Sequence, residues 1–227
     1  MTSSSSIQSA HERFQYPPHI FEKVEAWVKD YMLPYDPSHN YTHIQRVLKL
    51  CDHIYENEQA SKPSVHYDMT LVKLAALMHD VGDGKYAKYL PPKETTSTIC
   101  KNTLTKLGAS MELAKAVQDI VIHVSFSNEV THPETVVAAL ERHPELAIVQ
   151  DADRLDGIGG IGIMRCCMFG ATQPDDSLEE RVKWFRKRLL PVGKFMKTET
   201  GKAMSIGRVQ KIADMIMSWE EEIALIS

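Results

Sequence analysis

The sequence predicts an all-α protein. Apolar residues recur at three- and four-residue spacings over most of the chain, no convincing period-2 stretch is found, and most glycines and prolines fall between or at the ends of the periodic segments. Ile20, Val24, Trp27, Val28 and Tyr31 set a first helix, which Pro34 closes. A second spans residues 42–55 on Ile44, Val47, Leu48, Cys51 and Ile54. A third spans residues 68–80 on Leu71, Leu74, Ala75 and Met78, with Gly82 as its stop. "GASMELAKAVQDIVIHVS" places Leu113, Val117, Ile120, Val121 and Val124 on one stripe and ends near Ser125. "PETVVAALERH" is a shorter helix with Pro133 in its first turn. "ELAIVQDADRLDGIGGIGIMRCCMFG" reads as one or two helices interrupted by glycines, and after the loop "GATQPDDS" two more helices cover residues 178–190 and 200–225.

With 227 residues and 43% apolar content, the chain has room for one sizeable core, so residues 16–227 read as a single domain. The polar, Ser-rich residues 1–15 read as a disordered tail; they lack the apolar stretch of a secretory signal. A net charge of -4 with scattered Lys and Arg argues against nucleic-acid partners and against anionic membranes, and no segment is apolar for the roughly 18 to 20 residues a span needs. Cys51, Cys100, Cys166 and Cys167 form neither a disulfide framework nor a zinc-ribbon spacing, so they read as buried, reduced thiols of a cytoplasmic protein. Met164, Met168, Trp184, Phe185, Met215, Met217 and Trp219 lie at helical spacings that suit core or oligomer packing, which leaves a homodimer open.

The chemistry begins at "LMHDVGDGKY". His79 and Asp80 end an apolar helix side by side, and ionisable groups at a buried helix end need a compensating partner. Together they offer one imidazole nitrogen and one carboxylate oxygen, a set suited to a borderline or hard divalent ion. Two further stretches carry the same residue types at element ends. "PSHNYTHIQRVLKL" has His39 and His43 where a helix begins, and "VQDADRLDGIGG" has Asp151, Asp153 and Asp156 within an otherwise apolar run.

At these residues the sequence resembles the HD-domain metal-dependent phosphohydrolase superfamily, whose pattern is a His, a His-Asp pair and a distant Asp. It is most similar to the small stand-alone branch that hydrolyses nucleotides, through "HIQRV", "HDVGD" and "QDADRLDGIGGIGI", over residues 38–170 and more loosely beyond. The resemblance implies an HD-domain helical bundle with His43, His79, Asp80 and Asp153 as metal ligands. Asp153 is preferred to Asp151 because the family's ligand is the Asp directly followed by a basic residue, here Arg154. His39 reads as a helix-entry residue.

Two His and two Asp leave positions open on a six-coordinate ion, so a water can be activated there to attack phosphorus. One divalent ion is expected, manganese first, with magnesium, iron, cobalt or nickel as alternatives. Arg46, Lys85 and Arg154 lie beside the ligands and are the candidates to bind the phosphates of a small phosphate ester, which the resemblance makes a nucleotide. Lys85 and Arg154 are also candidates to stabilise charge in the reaction. Asp83, between two glycines, either orients the attacking water or caps the turn.

Three other readings compete. "GIGGIG" spells GxGxxG, but it follows an acidic helical stretch rather than a strand, so a dinucleotide fold is set aside. A two-metal HD-domain oxygenase would need extra His ligands, for which His123, His132 and His143 are available. A non-catalytic HD-fold binding module would keep the fold and lose a ligand, whereas all four are present.

Overall fold

The computed structural model describes residues 13–173 and 177–225, and among them there are helices and turns but no strand. The first helix, α1 (Ile20–Tyr31), buries Ile20, Val24 and Val28. Helix α2 (Tyr41–Ser61) runs a turn and a half past the sequence reading, because Glu58 at its far end is buried and accepts the Thr200 amide at 2.8 Å. Helix α3 (Met69–Met78) starts on Asp68, whose carboxylate accepts the amides of Thr70 and Leu71. It stops two residues before Asp80, so His79 and Asp80 lie in the turn that follows it. Gly82 takes a positive φ of 78° there.

Helix α4 (Ile99–Lys106) and helix α5 (Met111–Val124) form a hairpin against α3. The short α6 (Phe126–Thr131) leads into α7 (Pro133–Arg142), which does carry its proline in the first turn. The glycine-interrupted stretch is two helices, α8 (Glu145–Asp156) and α9 (Gly159–Gly170). Their junction needs glycine: Gly159 has φ 75°, and a Cβ on Gly162 would lie 2.2 Å from the Gly157 carbonyl oxygen. The segment expected over residues 178–190 breaks into α10 (Leu178–Trp184), a π-helical turn (Phe185–Leu189) and a 3-10 turn (Leu190–Phe195). The long α11 (Glu199–Ala224) closes the bundle across α8 and α9.

One apolar cluster runs through the bundle, with α3 near its middle: Leu71, Val72, Leu74, Ala75, Ala76, Leu77 and Met78 are all fully buried. Phe14 packs against this cluster and Arg13 donates to the Arg142 carbonyl at 2.9 Å, whereas residues 1–12 of the expected tail lie outside the described residues. Cys51 and Cys100 are buried, but Cys166 and Cys167 are only half-buried, and Cys166 lines a cleft. Phe185 is buried and stacks on Trp219, while Met164, Met168, Trp184 and Met217 are exposed rather than in the core. No helix among the described residues is long and apolar enough to cross a membrane.

Candidate metal centre and its cleft

Helices α2 and α8 lie against each other beside α3. His43 and Arg46 sit three residues apart on α2, and Asp153 and Asp156 three apart on α8, so each pair shares one helical face. The two faces meet where α3 ends. His43 Nε2 lies 3.0 Å from His79 Nε2, 3.4 Å from Asp80 Oδ2 and 3.4 Å from Asp153 Oδ1. His79 Nε2 lies 3.5 Å from Asp80 Oδ1 and 3.6 Å from Asp153 Oδ1. His43, His79 and Asp153 therefore converge on one spot, and Asp80 flanks it with a different oxygen toward each imidazole.

The outer nitrogens fix both rings. His43 Nδ1–H donates to Asp156 at 2.7 Å, and His79 Nδ1–H donates to the Ala76 carbonyl at 2.8 Å. With both protons held on Nδ1, each Nε2 turns its lone pair inward, the orientation that second-shell partners impose on metal-bound histidines. Two such lone pairs 3.0 Å apart repel unless positive charge lies between them. Asp80 adds to the demand, because its Oδ2 is buried with no hydrogen-bond partner.

The electrostatics agree. Burial lowers the basicity of His79, but the Asp80 and Asp153 carboxylates outweigh it and raise the imidazole to about 9. Burial opposes ionisation of Asp80, yet the neighbouring His79 and His43 bring it down to about 2. Asp153 is held well below the usual range by the neighbouring His43 and His79 rings despite its burial. The centre draws in positive charge, which a divalent cation bound to two nitrogens and two carboxylates would supply. Among the described residues, His43, His79 and Asp153 are the one group whose ligand atoms all lie within 4.8 Å of one another.

The other acids and histidines do different work. Asp151 turns to the opposite side and caps the approach to α11, accepting the Lys197 and Thr198 amides at 2.8 and 2.7 Å. His123 donates from Nδ1 to the Asp119 carbonyl at 2.7 Å, and His143 faces the Asp119 carboxylate at 3.2 Å. His132 precedes the first turn of α7.

A cleft of about 660 Å³ opens above the centre, with His79, Asp80 and Asp153 in its lining. Asp83 and Lys85 line it too. Asp83 Oδ1 accepts the Lys85 amide at 2.8 Å, so it caps a 3-10 turn (Gly84–Tyr89) while facing the cleft. Arg154 is also in the lining, but it is buried and committed: it donates to Phe195 O at 2.7 Å and to Glu129 at 2.5 Å. Its Nε has no partner. Arg46 lies outside the lining, with Nε 2.7 Å and Nη2 3.0 Å from the Asp156 carboxylate.

The structure adds residues that the sequence reading did not single out for the site. Asp156 accepts from His43, from Arg46 and, at 2.9 Å, from Arg165 Nη1. Arg165 and Arg188 both line the cleft, and the Arg188 guanidinium lies over Phe126 at 5.0 Å and Trp184 at 5.6 Å. The matching three-residue spacings of His43/Arg46 and Asp153/Asp156 were the signal available for Asp156. For Arg165 and Arg188 there was none.

A His-Asp cluster that could hold a metal, set within an all-helical bundle, is what the resemblance to HD-domain proteins implies. The HD domain family matches residues 40–158, more than half the chain and every residue of the centre, and the chain belongs to that family. Protein YpgQ of Bacillus subtilis strain 168 is 29% identical over 210 residues, covering 89% of this chain and 93% of YpgQ. The crystal structure of YpgQ in complex with ADP superposes with a TM-score of 0.63 at 26% identity, over 89% of this chain and 94% of that one. An HD-superfamily hydrolase from Bacillus thuringiensis shares the fold with a TM-score of 0.62 at 24% identity, over 90% and 96% of the two chains.

Proposed function

We propose that the protein is a metal-dependent phosphohydrolase that cleaves a phosphate or diphosphate linkage of a nucleotide. The observation that carries this reading is the pair of inward-facing imidazole nitrogens 3.0 Å apart, flanked by Asp80 and Asp153 on the floor of a cationic cleft. His43, His79, Asp80 and Asp153 would hold a divalent ion, which would supply a Lewis acid and lower the pKa of water there. Manganese suits the mixed nitrogen and oxygen set, as do magnesium, iron, cobalt and nickel. The ADP seen with YpgQ supports a nucleotide as the ligand here.

This chain's own residues then divide the work. Lys85 is the most exposed of the three nominated cations and binds phosphate oxygens directly. Arg154, through its unpartnered Nε edge, contributes positive potential from the wall. Arg46 acts behind the floor by holding Asp156. Asp83 faces the cleft with Oδ2 3.7 Å from Lys85 Nζ and orients the attacking water.

The test of the reaction is a panel of nucleoside mono-, di- and triphosphates with manganese or cobalt, with phosphate and pyrophosphate release read separately. Release of either from one class supports the reading. Oxygen uptake with reduced iron, and no phosphate from any substrate, replaces it with the two-metal oxygenase. For Asp83, Asp83→Asn is expected to retain the metal and lower kcat by about 10²-fold with little change in KM, the scale of a lost general base. Asn caps a turn nearly as well as Asp, so near-wild-type turnover would mean that Asp83 serves the 3-10 turn alone.

A further inference from the structure

We infer that Ser38 and His39 brace Lys85 and Arg165 into a two-cation clamp for the substrate's phosphate groups, with His39 as a positioning residue. The inference rests on the phosphohydrolase reading for its ligand, and on the cleft's geometry for everything else. Lys85 comes from the turn after His79-Asp80 and Arg165 from α9, 80 residues apart, yet both line the cleft and both are tied to adjacent residues just before α2. Lys85 Nζ lies 3.1 Å from His39 Nε2, and Arg165 Nε donates to the Ser38 carbonyl at 2.6 Å.

The brace is itself fixed. Ser38 is fully buried, and its hydroxyl donates to Asp36, whose second oxygen accepts from the Tyr86 hydroxyl. That leaves the Ser38 oxygen to accept from His39 Nδ1–H, so His39 Nε2 carries the lone pair that receives Lys85. Burial, followed by the Lys85 charge, depresses His39 to about 3, so the ring remains a neutral acceptor. A neutral acceptor matters. Asp83 Oδ2 already lies 3.7 Å from Lys85 Nζ; the imidazole restricts the flexible lysine at closer range without placing a second carboxylate on it, so it takes no further charge from the ligand's side. Arg165 is similarly restricted through Nε and Nη1, and no hydrogen bond to the described residues occupies Nη2.

The probe is methylenediphosphonate, which presents two phosphonate groups and cannot be hydrolysed, titrated by calorimetry into the metal-loaded full chain. His39→Leu is expected to weaken binding by about tenfold, the value of one charge-assisted contact, and His39→Gln, whose amide oxygen is a neutral acceptor, to restore most of it. In a Lys85→Met background His39→Leu should cost nothing further, since the group it positions is gone. A purely structural role predicts the same loss in both backgrounds, and that result would overturn the clamp, as would wild-type affinity in His39→Leu. Clamp-dependent binding in a protein that hydrolyses no nucleotide would support this inference while ending the phosphohydrolase reading.

Discussion

Asp80→Ala is expected to leave purification with metal at background, where the wild-type chain carries about one equivalent, and to be inactive under every condition that supports the wild type. The side chain is 10% exposed, and its two oxygens lie 3.4 Å from His43 Nε2 and 3.5 Å from His79 Nε2. Its Oδ2 has no hydrogen-bond partner to lose. The substitution therefore removes one ligand oxygen from each imidazole's neighbourhood and breaks no structural bond through that atom. The one architectural contact at this residue uses the main chain, where the Asp80 carbonyl accepts the Tyr35 hydroxyl at 3.2 Å, and alanine keeps it. Elemental analysis beside a thermal melt separates the two effects. A variant that melts like the wild type without metal fits the assignment, and one that keeps its full equivalent of metal refutes it.

The sequence announced the helices with the strongest apolar stripes, and it missed those whose form depends on neighbours. Helices α1, α5 and α7 begin and end within a few residues of their predicted positions, because Pro34, Ser110, Ser125 and Pro133 mark their ends locally. Helix α4, "ICKNTLTK", offers only Ile99, Cys100 and Leu104 as buried apolar positions and is formed by docking on α5. The π-helical turn at Phe185–Leu189 lies where the apolar spacing predicts plain helix, since nothing in "FRKRL" signals an extra residue in the turn.

The site divides in the same way. Residues of the candidate metal centre announce themselves because buried imidazoles and carboxylates are costly without compensation, so their presence in apolar helices is itself informative. Arg46, Lys85 and Arg154 are nominated by their nearness in sequence to those residues, and nearness says nothing about which face of a helix a side chain takes. Arg46 and Arg154 lie one turn from a ligand or beside one, and their guanidiniums are held by Asp156 and Glu129. Arg165 is nine residues from Asp156 and reaches both its carboxylate and the cleft, because the glycine junction folds α9 back beside α8.

Asp156 is the residue on which these threads converge, and Asp156→Asn is expected to have the second largest effect. Its carboxylate is 1% exposed and receives an imidazole N–H, two N–H groups of Arg46 and one of Arg165. Burial alone would raise its pKa, but hydrogen bonds from His43 and Arg46 overcome that and depress it to about 2. An unfolded Asp titrates near 3.9, so the depression corresponds to about 2–3 kcal/mol of stability at neutral pH. Because the folded value is the lower one, that contribution is complete above about pH 4 and fades as the pH falls through about 2. Asparagine keeps the shape but leaves two guanidiniums facing a neutral amide, and it turns an N–H toward groups that are themselves donors. Denaturant melts should therefore show Asp156→Asn less stable than wild type at pH 7 by about 2–4 kcal/mol, with the gap narrowing toward pH 2.5. Metal affinity should fall by about 10- to 100-fold, as when an outer partner of a ligating histidine is lost, because His43 no longer has a carboxylate fixing its Nδ1 proton. Unchanged metal affinity would show that His43 is oriented by packing alone, and a stability gap that stays constant from pH 7 to 2.5 would show that the Asp156 charge is not what the three donors stabilise.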